Sequence, residues 1–215
     1  PPNSIVTATA WHPNGRFATC AVDVLREAAG EPQTSTHMLM DIGRDIGTVQ
    51  YPSSFPSLDP PGIVLCMRYS PSGKHLLVAR SNVTRGFVQV YETPTSEDKP
   101  TWRKDPVAWR IFEHQILDVA WTGDESFVAC GEQGIASSYA LQKPEEPMTN
   151  GSTPSSIAVH HLAEQVLEIV PGSIRWDKVR FDTKRGLLIF ASTTEKKLAA
   201  LQSPNSGSEE TLLTV

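Results

Sequence analysis

Ile116-Leu117-Asp118-Val119-Ala120-Trp121-Thr122-Gly123-Asp124-Glu125-Ser126-Phe127-Val128-Ala129-Cys130 reads as an apolar strand ending in an aromatic residue, a tight polar turn and a second apolar strand. The same unit occurs three more times: Ile5 to Trp11 runs into His12-Pro13-Asn14-Gly15, Ile63 to Tyr69 into Ser70-Pro71-Ser72-Gly73, and Trp176 to Phe181 into Asp182-Thr183-Lys184-Arg185-Gly186. With Trp11, Tyr69, Trp121 and Phe181 as anchors, the residue five before is Val6, Val64, Ile116 or Trp176, and the residue two before is Thr9, Met67, Val119 or Val179. One hairpin is thus repeated along the chain.

The second strands align as Phe17 to Cys20, Leu76 to Ala79, Phe127 to Cys130 and Leu187 to Phe190. They are apolar on both faces, which requires a covering layer on each side, as when sheets stack face to face around an axis. A third strand follows at Thr36 to Ile42, Gly86 to Tyr91, Ile135 to Leu141 and Lys196 to Leu201. The pattern predicts an all-β fold, a β-propeller of four-stranded antiparallel blades occupying residues 1–215. Anchor spacings of 58, 52 and 60 residues exceed the roughly 40–45 of a minimal blade. The excess falls in Pro-, Ser- and Thr-rich or polar stretches near 50–62, 93–106 and 142–156, predicted to be loops on the rim or faces. Ala158 to Val170 fits either an amphipathic helix or the outer strand of a blade. Four units stand at the lower limit for a closed ring, so the chain is expected to form part of a seven- or eight-bladed one; its first residue, Pro rather than Met, suits a trimmed or incompletely recorded terminus.

A net charge of −5 with scattered Lys and Arg does not favour a general nucleic-acid binder, which needs a clustered basic surface. The longest apolar runs, Ile63 to Met67 and Leu187 to Ala191, are strand-sized and too short for a membrane-spanning helix, and no secretory leader is visible. The three cysteines are read as small apolar core residues of a reducing compartment, with Cys20 and Cys130 at one equivalent repeat position. The triplets Asn82-Val83-Thr84 and Asn150-Gly151-Ser152 would matter only in a secreted protein.

These units resemble WD repeats over most of residues 5–201. Glu113-His114 stands where that family commonly has Gly-His, His12-Pro13-Asn14-Gly15 and Ser70-Pro71-Ser72-Gly73 are close to its Ser-Pro-Asp-Gly turn, and Tyr91-Glu92 stands at the name-giving Trp-Asp. No unit keeps the whole signature, so the family's His-Asp-Ser-Trp network is in doubt here. Within the family, Ile116 to Trp121 running into Phe127 to Cys130, and Val6 to Phe17, are similar to blades of the transducin-β-like corepressor subunits, which scaffold nuclear histone-deacetylase complexes. The resemblance implies a non-catalytic scaffold for other protein subunits or peptide segments, intracellular and nuclear rather than cytoplasmic, with no cofactor.

In that architecture the first strand of each blade is innermost, and the loop between second and third strands opens on the top face. Mapped here, the top face carries Arg80, Asn82, Arg85, Gln115, Asp118, Glu132, Gln133 and, near the central channel, Lys178. Mixed charges converging on one face suit a polar or charged peptide, although charged loops are also the surface default. Trp102 and Arg103, in a polar insertion, read either as an exposed interaction hot spot or as a tryptophan plugged onto its own blade. Two other functional classes have candidate residues in this sequence. A propeller hydrolase would need titratable groups in the channel, for which Asp118 and Lys178 are the candidates. An RNA-associated propeller would rest on Arg68, Arg80, Arg85, Arg103 and Lys104. His160-His161 with Glu164 lacks zinc-site spacing and no Cys pair supplies thiolates, so no metal is expected.

Overall fold

The computed structural model describes residues 4–26, 34–43, 63–94, 102, 106–142, 161–167, 174–203 and 213–214. The insertion near 50–62, Arg103 and most of 93–106 and 142–156 lie outside them.

Four antiparallel sheets follow one another as blades. Blade 1 comprises β1 (Ser4–Trp11), β2 (Ala18–Arg26) and β3 (Thr34–Ile42); blade 2, β4 (Ile63–Tyr69), β5 (His75–Ser81), β6 (Gly86–Glu92) and β7 (Ala108–Phe112). Blade 3 has β8 (Ile116–Trp121), β9 (Ser126–Gly131), β10 (Ala136–Gln142) and β11 (His161–Leu167); blade 4 has β12 (Lys178–Asp182), β13 (Leu187–Ser192), β14 (Lys197–Gln202) and β15 (Leu213–Thr214). The ambiguous stretch around 158–170 is therefore the outer strand β11, paired with β10 from Ala136↔Leu167 to Gln142↔His161. The first strands β1, β4, β8 and β12 pack on one another in turn and line the inside of the arc.

Apolar seams hold the blades together. Tyr69, Leu76, Val78 and Tyr91 of blade 2 pack on Ala10, Ala21 and Leu39 of blade 1. Trp121, Phe127 and Tyr139 of blade 3 pack on Leu77, Ala79, Val88 and Val90 of blade 2. Trp176 and Phe190 of blade 4 pack on Ala120, Val128, Cys130 and Ala136 of blade 3. Blades 2, 3 and 4 thus present aromatic residues to the preceding blade, and the surfaces they meet are mainly small or aliphatic, with Phe17 and Phe112 as aromatic exceptions. A sheet buried on both faces explains the continuous apolar runs of the second strands.

Two details of register escape the sequence pattern. In blades 1, 2 and 3 the first strand carries a bulge, at Val6/Ala8, Val64/Cys66 and Ile116/Asp118. The extra residue is Thr7, Leu65 or Leu117, and it lets positions five and two before the anchor, an odd distance apart, face the same neighbour. Val64 and Met67, like Ile116 and Val119, therefore share a seam.

The turns also differ in length. Trp11, Tyr69 and Phe181 pair with Ala18, Leu76 and Leu188, seven residues on, whereas Trp121 pairs with Phe127, six on. The aligned second strands of blades 1 and 4 are accordingly one residue out of register, and one residue reverses the face of every side chain. Cys20 and Cys130 are not equivalent: Cys20 pairs with Thr9 and Cys130 with Asp118. Both are buried free thiols, and Cys66 is half-buried. Phe17, instead of opening β2, stacks beneath His12 at 4.4 Å and meets Tyr69 edge-on at 6.0 Å.

Neighbouring blades are also hooked through their first turns. The His12 Nε2 lies 3.2 Å from the Gly73 carbonyl, the Ser72 N–H donates to Asp124 Oδ1 at 2.8 Å, and the His75 Nδ1 lies 2.9 Å from the Asp124 carbonyl. Gly73 sits at φ +78°, and a Cβ there would fall 2.1 Å from His12 Nε2. Gly73→Ala should cost about 2 kcal/mol from the positive φ together with the displaced imidazole. Urea unfolding measures it; His12→Ala in the same chain should return part of the loss, and no coupling between the two would refute the contact.

Candidate functional site

The inner strands converge on Asp118. It follows the bulge of β8, so its side chain turns off the strand's regular alternation, and it is only 2% exposed. Its Oδ1 accepts Arg68 Nη2 from β4 at 3.0 Å and the Val119 N–H at 3.0 Å; its Oδ2 accepts the Val179 N–H at 3.1 Å and Arg180 Nη1 from β12 at 2.6 Å. One carboxylate therefore ties together blades 2, 3 and 4. Arg68 also donates from Nε to the Val119 carbonyl at 2.7 Å, and Trp121 Nε1 donates to the Arg68 carbonyl at 2.8 Å.

Burial pushes the Asp118 carboxyl up, but the Arg68 charge, the Val179 N–H and the bonded, charged Arg180 outweigh it and hold the group below the usual carboxylate range. All four lone-pair directions of the carboxylate are used. Asp118 is thus a structural clamp rather than a free acid or base, and it does not present a charge on the top face. The same charge, after burial, helps raise the neighbouring Cys66 thiol to about 12, so this cysteine stays protonated at neutral pH.

The top face is built by loops of blades 2 and 3. Asn82 turns residues 82–85 by accepting the Thr84 and Arg85 N–H groups on Oδ1 at 3.0 and 2.7 Å. Gln115 Nε2 donates to the Val83 carbonyl at 2.8 Å, the Glu132 N–H donates to the Gln115 carbonyl at 3.1 Å, and Arg85 Nε lies 3.4 Å from Glu113 Oε2. His114 packs edge-on against Phe112 at 5.6 Å, and burial pushes its imidazole down from the ordinary value. Gly86 and Gly131 admit this segment closely, since a Cβ at either would meet residues 114–116 at 2.4–2.5 Å. The three loops form one cross-linked surface on which Val83 is 80% exposed and Ile63, Arg85 and Glu113 are also exposed.

The structure therefore groups Asn82, Arg85, Gln115 and Glu132 on one face. Gln133 lies in the 3₁₀ turn Glu132–Gly134, with its side chain outside the described residues. Arg80 is corrected to a buried position in β5, where alternation directs it with Leu76 and Val78 toward the seam with blade 1. Lys178 is exposed at the start of β12. Arg180, the clamp's second arginine, was missed, because its partner lies 62 residues away in the chain.

Trp102 is not an exposed hot spot but takes its other reading: it is buried, meets Tyr91 edge-on at 6.4 Å and donates from Nε1 to Asp41 Oδ1 at 3.1 Å. Asp41 in turn holds Thr19, whose hydroxyl also meets that of Tyr69, so Trp102 plugs the seam between blades 1 and 2. Glu164 is held by Arg110 and accepts the Tyr139 hydroxyl at 2.8 Å; His160 and the side chain of His161 lie outside the described residues.

No family model matches this chain, and no curated protein matches it in sequence. Its fold is similar to those of solved structures, a β-propeller domain among them. The β-propeller domain of Cps50 (Swd1) from Myceliophteria thermophila superposes with a TM-score of 0.58 at 13% identity, covering 97% of this chain and 72% of that one. Hydrazine synthase from Kuenenia stuttgartiensis gives 0.51 at 13% identity, covering 91% of this chain and 64% of that one. At these identities the likeness concerns the β-propeller fold, which the sheet order shows independently.

Because folding lowers the Asp118 pKa, its stabilisation is present above the unfolded value of about 4 and is lost as pH falls through the folded value. Asp118→Asn should therefore be less stable than wild type by about 2–4 kcal/mol at pH 7. That difference should shrink steadily below about pH 4 in urea titrations; a pH-independent difference would contradict the clamp.

Proposed function

We propose that the chain is a non-catalytic, WD-repeat-type scaffold that binds a protein or peptide partner on the top face, centred on Val83 and Arg85. The carrying observation is the cross-linking of residues 82–85, 113–115 and 132 into one surface that displays an exposed aliphatic side chain, Val83, together with the exposed Arg85–Glu113 ion pair. An aliphatic anchor on a rigid support loses little entropy on binding. The saturated Asp118 supports the same reading, since a channel hydrolase needs an acid or base with a free lone pair. The similarity of the third unit to corepressor blades extends the proposal to a subunit of a nuclear multiprotein assembly.

Affinity purification from cell extract, followed by mass spectrometry, tests this reading. Val83→Asp with Arg85→Glu should reduce recovery of the companions at least tenfold with the circular dichroism spectrum unchanged. Equal recovery with both variants would remove the top face as the docking site. Deacetylase-complex subunits among the companions would support the corepressor extension, and another stable complex would replace it.

A further inference from the structure

The top face changes character from blade to blade. Six residues before the anchors stand Ile63, Gln115 and Arg175, so the position at which Gln115 links the loops of blades 2 and 3 carries an exposed cation in blade 4. Beside it, Asp177 accepts the Thr193 N–H on Oδ1 at 3.1 Å and the Thr193 hydroxyl on Oδ2, and its own N–H donates to the Ala191 carbonyl at 3.1 Å. These bonds pin the β13–β14 loop to the segment that enters β12, and the Ser192 hydroxyl shapes the loop by accepting the Glu195 N–H at 3.1 Å. Arg175, Lys196 and Lys197 are exposed on the surface so formed, and Lys178 begins β12 next to Asp177. Four cations thus face two carboxylates, of which Asp177 is taken up by Thr193 and Glu195 lies 3.6 Å from Lys197. Among the described residues, Arg175, Lys178 and Lys196 form no ion pair. The exposure of the loop does not depend on what stacks beside blade 4: the equivalent loop of blade 2 has a blade on either side and still exposes Val83 and Arg85.

Lys196 carries a second, independent signal. Its φ is +56°, and it is the one non-glycine with a left-handed backbone among the described residues; the other five such positions are all glycine. A side chain there costs free energy that glycine would avoid. Residues held against such a cost cluster at ligand clamps, where the side chain is needed.

We propose that the top of blade 4, through Arg175, Lys196 and Lys197, binds an acidic peptide segment of the partner. The inference rests on the top-face docking proposed above and names the chemistry that the partner brings to it. Along the row from Ile63 through Gln115 to Arg175 the surface passes from aliphatic to cationic, which suits a segment with aliphatic residues ahead of glutamates or aspartates. A nucleic-acid backbone would carry its charge over Glu113 and Glu132 as well, whereas a peptide places its acids only where the cations are.

Fluorescence anisotropy at low ionic strength tests it with three labelled probes: hexaglutamate, leucyl-leucyl-hexaglutamate and leucyl-leucyl-hexaglutamine. The second should bind at least tenfold more tightly than the third. Lys196→Glu should weaken it at least tenfold, whereas Lys184→Glu, the same charge change in the exposed turn at the opposite end of blade 4, should leave it within twofold. Lys196→Gly should raise the urea midpoint and still weaken the probe at least threefold. Equal binding of the glutamate and glutamine peptides, equal loss in Lys196→Glu and Lys184→Glu, or a raised midpoint with unchanged affinity overturns the proposal. A thymidine oligonucleotide that binds more tightly than hexaglutamate through Lys196 overturns the peptide assignment in favour of nucleic acid. Val83→Ser should remove the advantage of the leucines and leave hexaglutamate alone unaffected. Lys196-dependent binding in which the leucines bring no advantage would uphold the acidic site while removing Val83 as the centre of docking.

Discussion

A sheet that is apolar on both faces has no stable place at a water boundary, and this constraint governs the molecule. The second strands in particular, such as Leu76-Leu77-Val78-Ala79, send successive side chains into two different seams, so neither face can be left to solvent without exposing a row of apolar groups. Burying a residue of this size stabilises by roughly 1.5–3 kcal/mol, and each seam gathers about ten of them. Blade order, the inward placement of the first strands and the exposure of the loops all follow from stacking these sheets. The asymmetry of the seam, most of the rings on one side and mainly small or aliphatic side chains on the other, gives the stack a direction.

The apolar seams set the spacing of the blades, and Asp118 sets their alignment near the axis. A buried carboxylate carries a large desolvation cost unless its oxygens are fully bonded. Here two arginines and two backbone N–H groups from three consecutive blades supply those bonds, so the clamp exists only when the blades are correctly placed. At the corresponding position the other blades carry Ala8, Cys66 and Lys178, which cannot accept such a set of bonds. The clamp therefore belongs to the third blade alone. A mispositioned neighbour would leave a buried charge unmet, and this gives the polar cluster a role in specificity beyond its net stabilisation.

Rigid alignment of the inner strands carries through to the top face. The segment 113–115 leaves blade 2 and enters β8 directly ahead of Ile116 and Asp118, and the Ser81 hydroxyl meets both the N–H and the carbonyl of Ile116 at 2.9 and 3.0 Å. The loop bearing Val83 is thereby anchored to the strand that carries the clamp. Surface recognition and core order are coupled here through short, saturated backbone contacts.

The sequence alone determined the repeated hairpin, its strands and the all-β stack. The bounds of β4 and β8 coincide with the stretches read from the pattern, and the third strands agree within two residues, because alternation, anchors and turn residues are local properties. It also determined that residues 82, 85, 115 and 132 share a face, which follows from strand direction. Only the tertiary structure decided the bulges, because Thr7, Leu65 and Leu117 have no common chemistry and the extra residue is set by cross-strand pairing. The same is true of the buried roles of Arg80, Trp102 and Asp118. Asp118 meets Arg68 and Arg180, and Trp102 meets Asp41, from 50 to 62 positions away in the chain, a distance over which periodicity carries no information and packing decides.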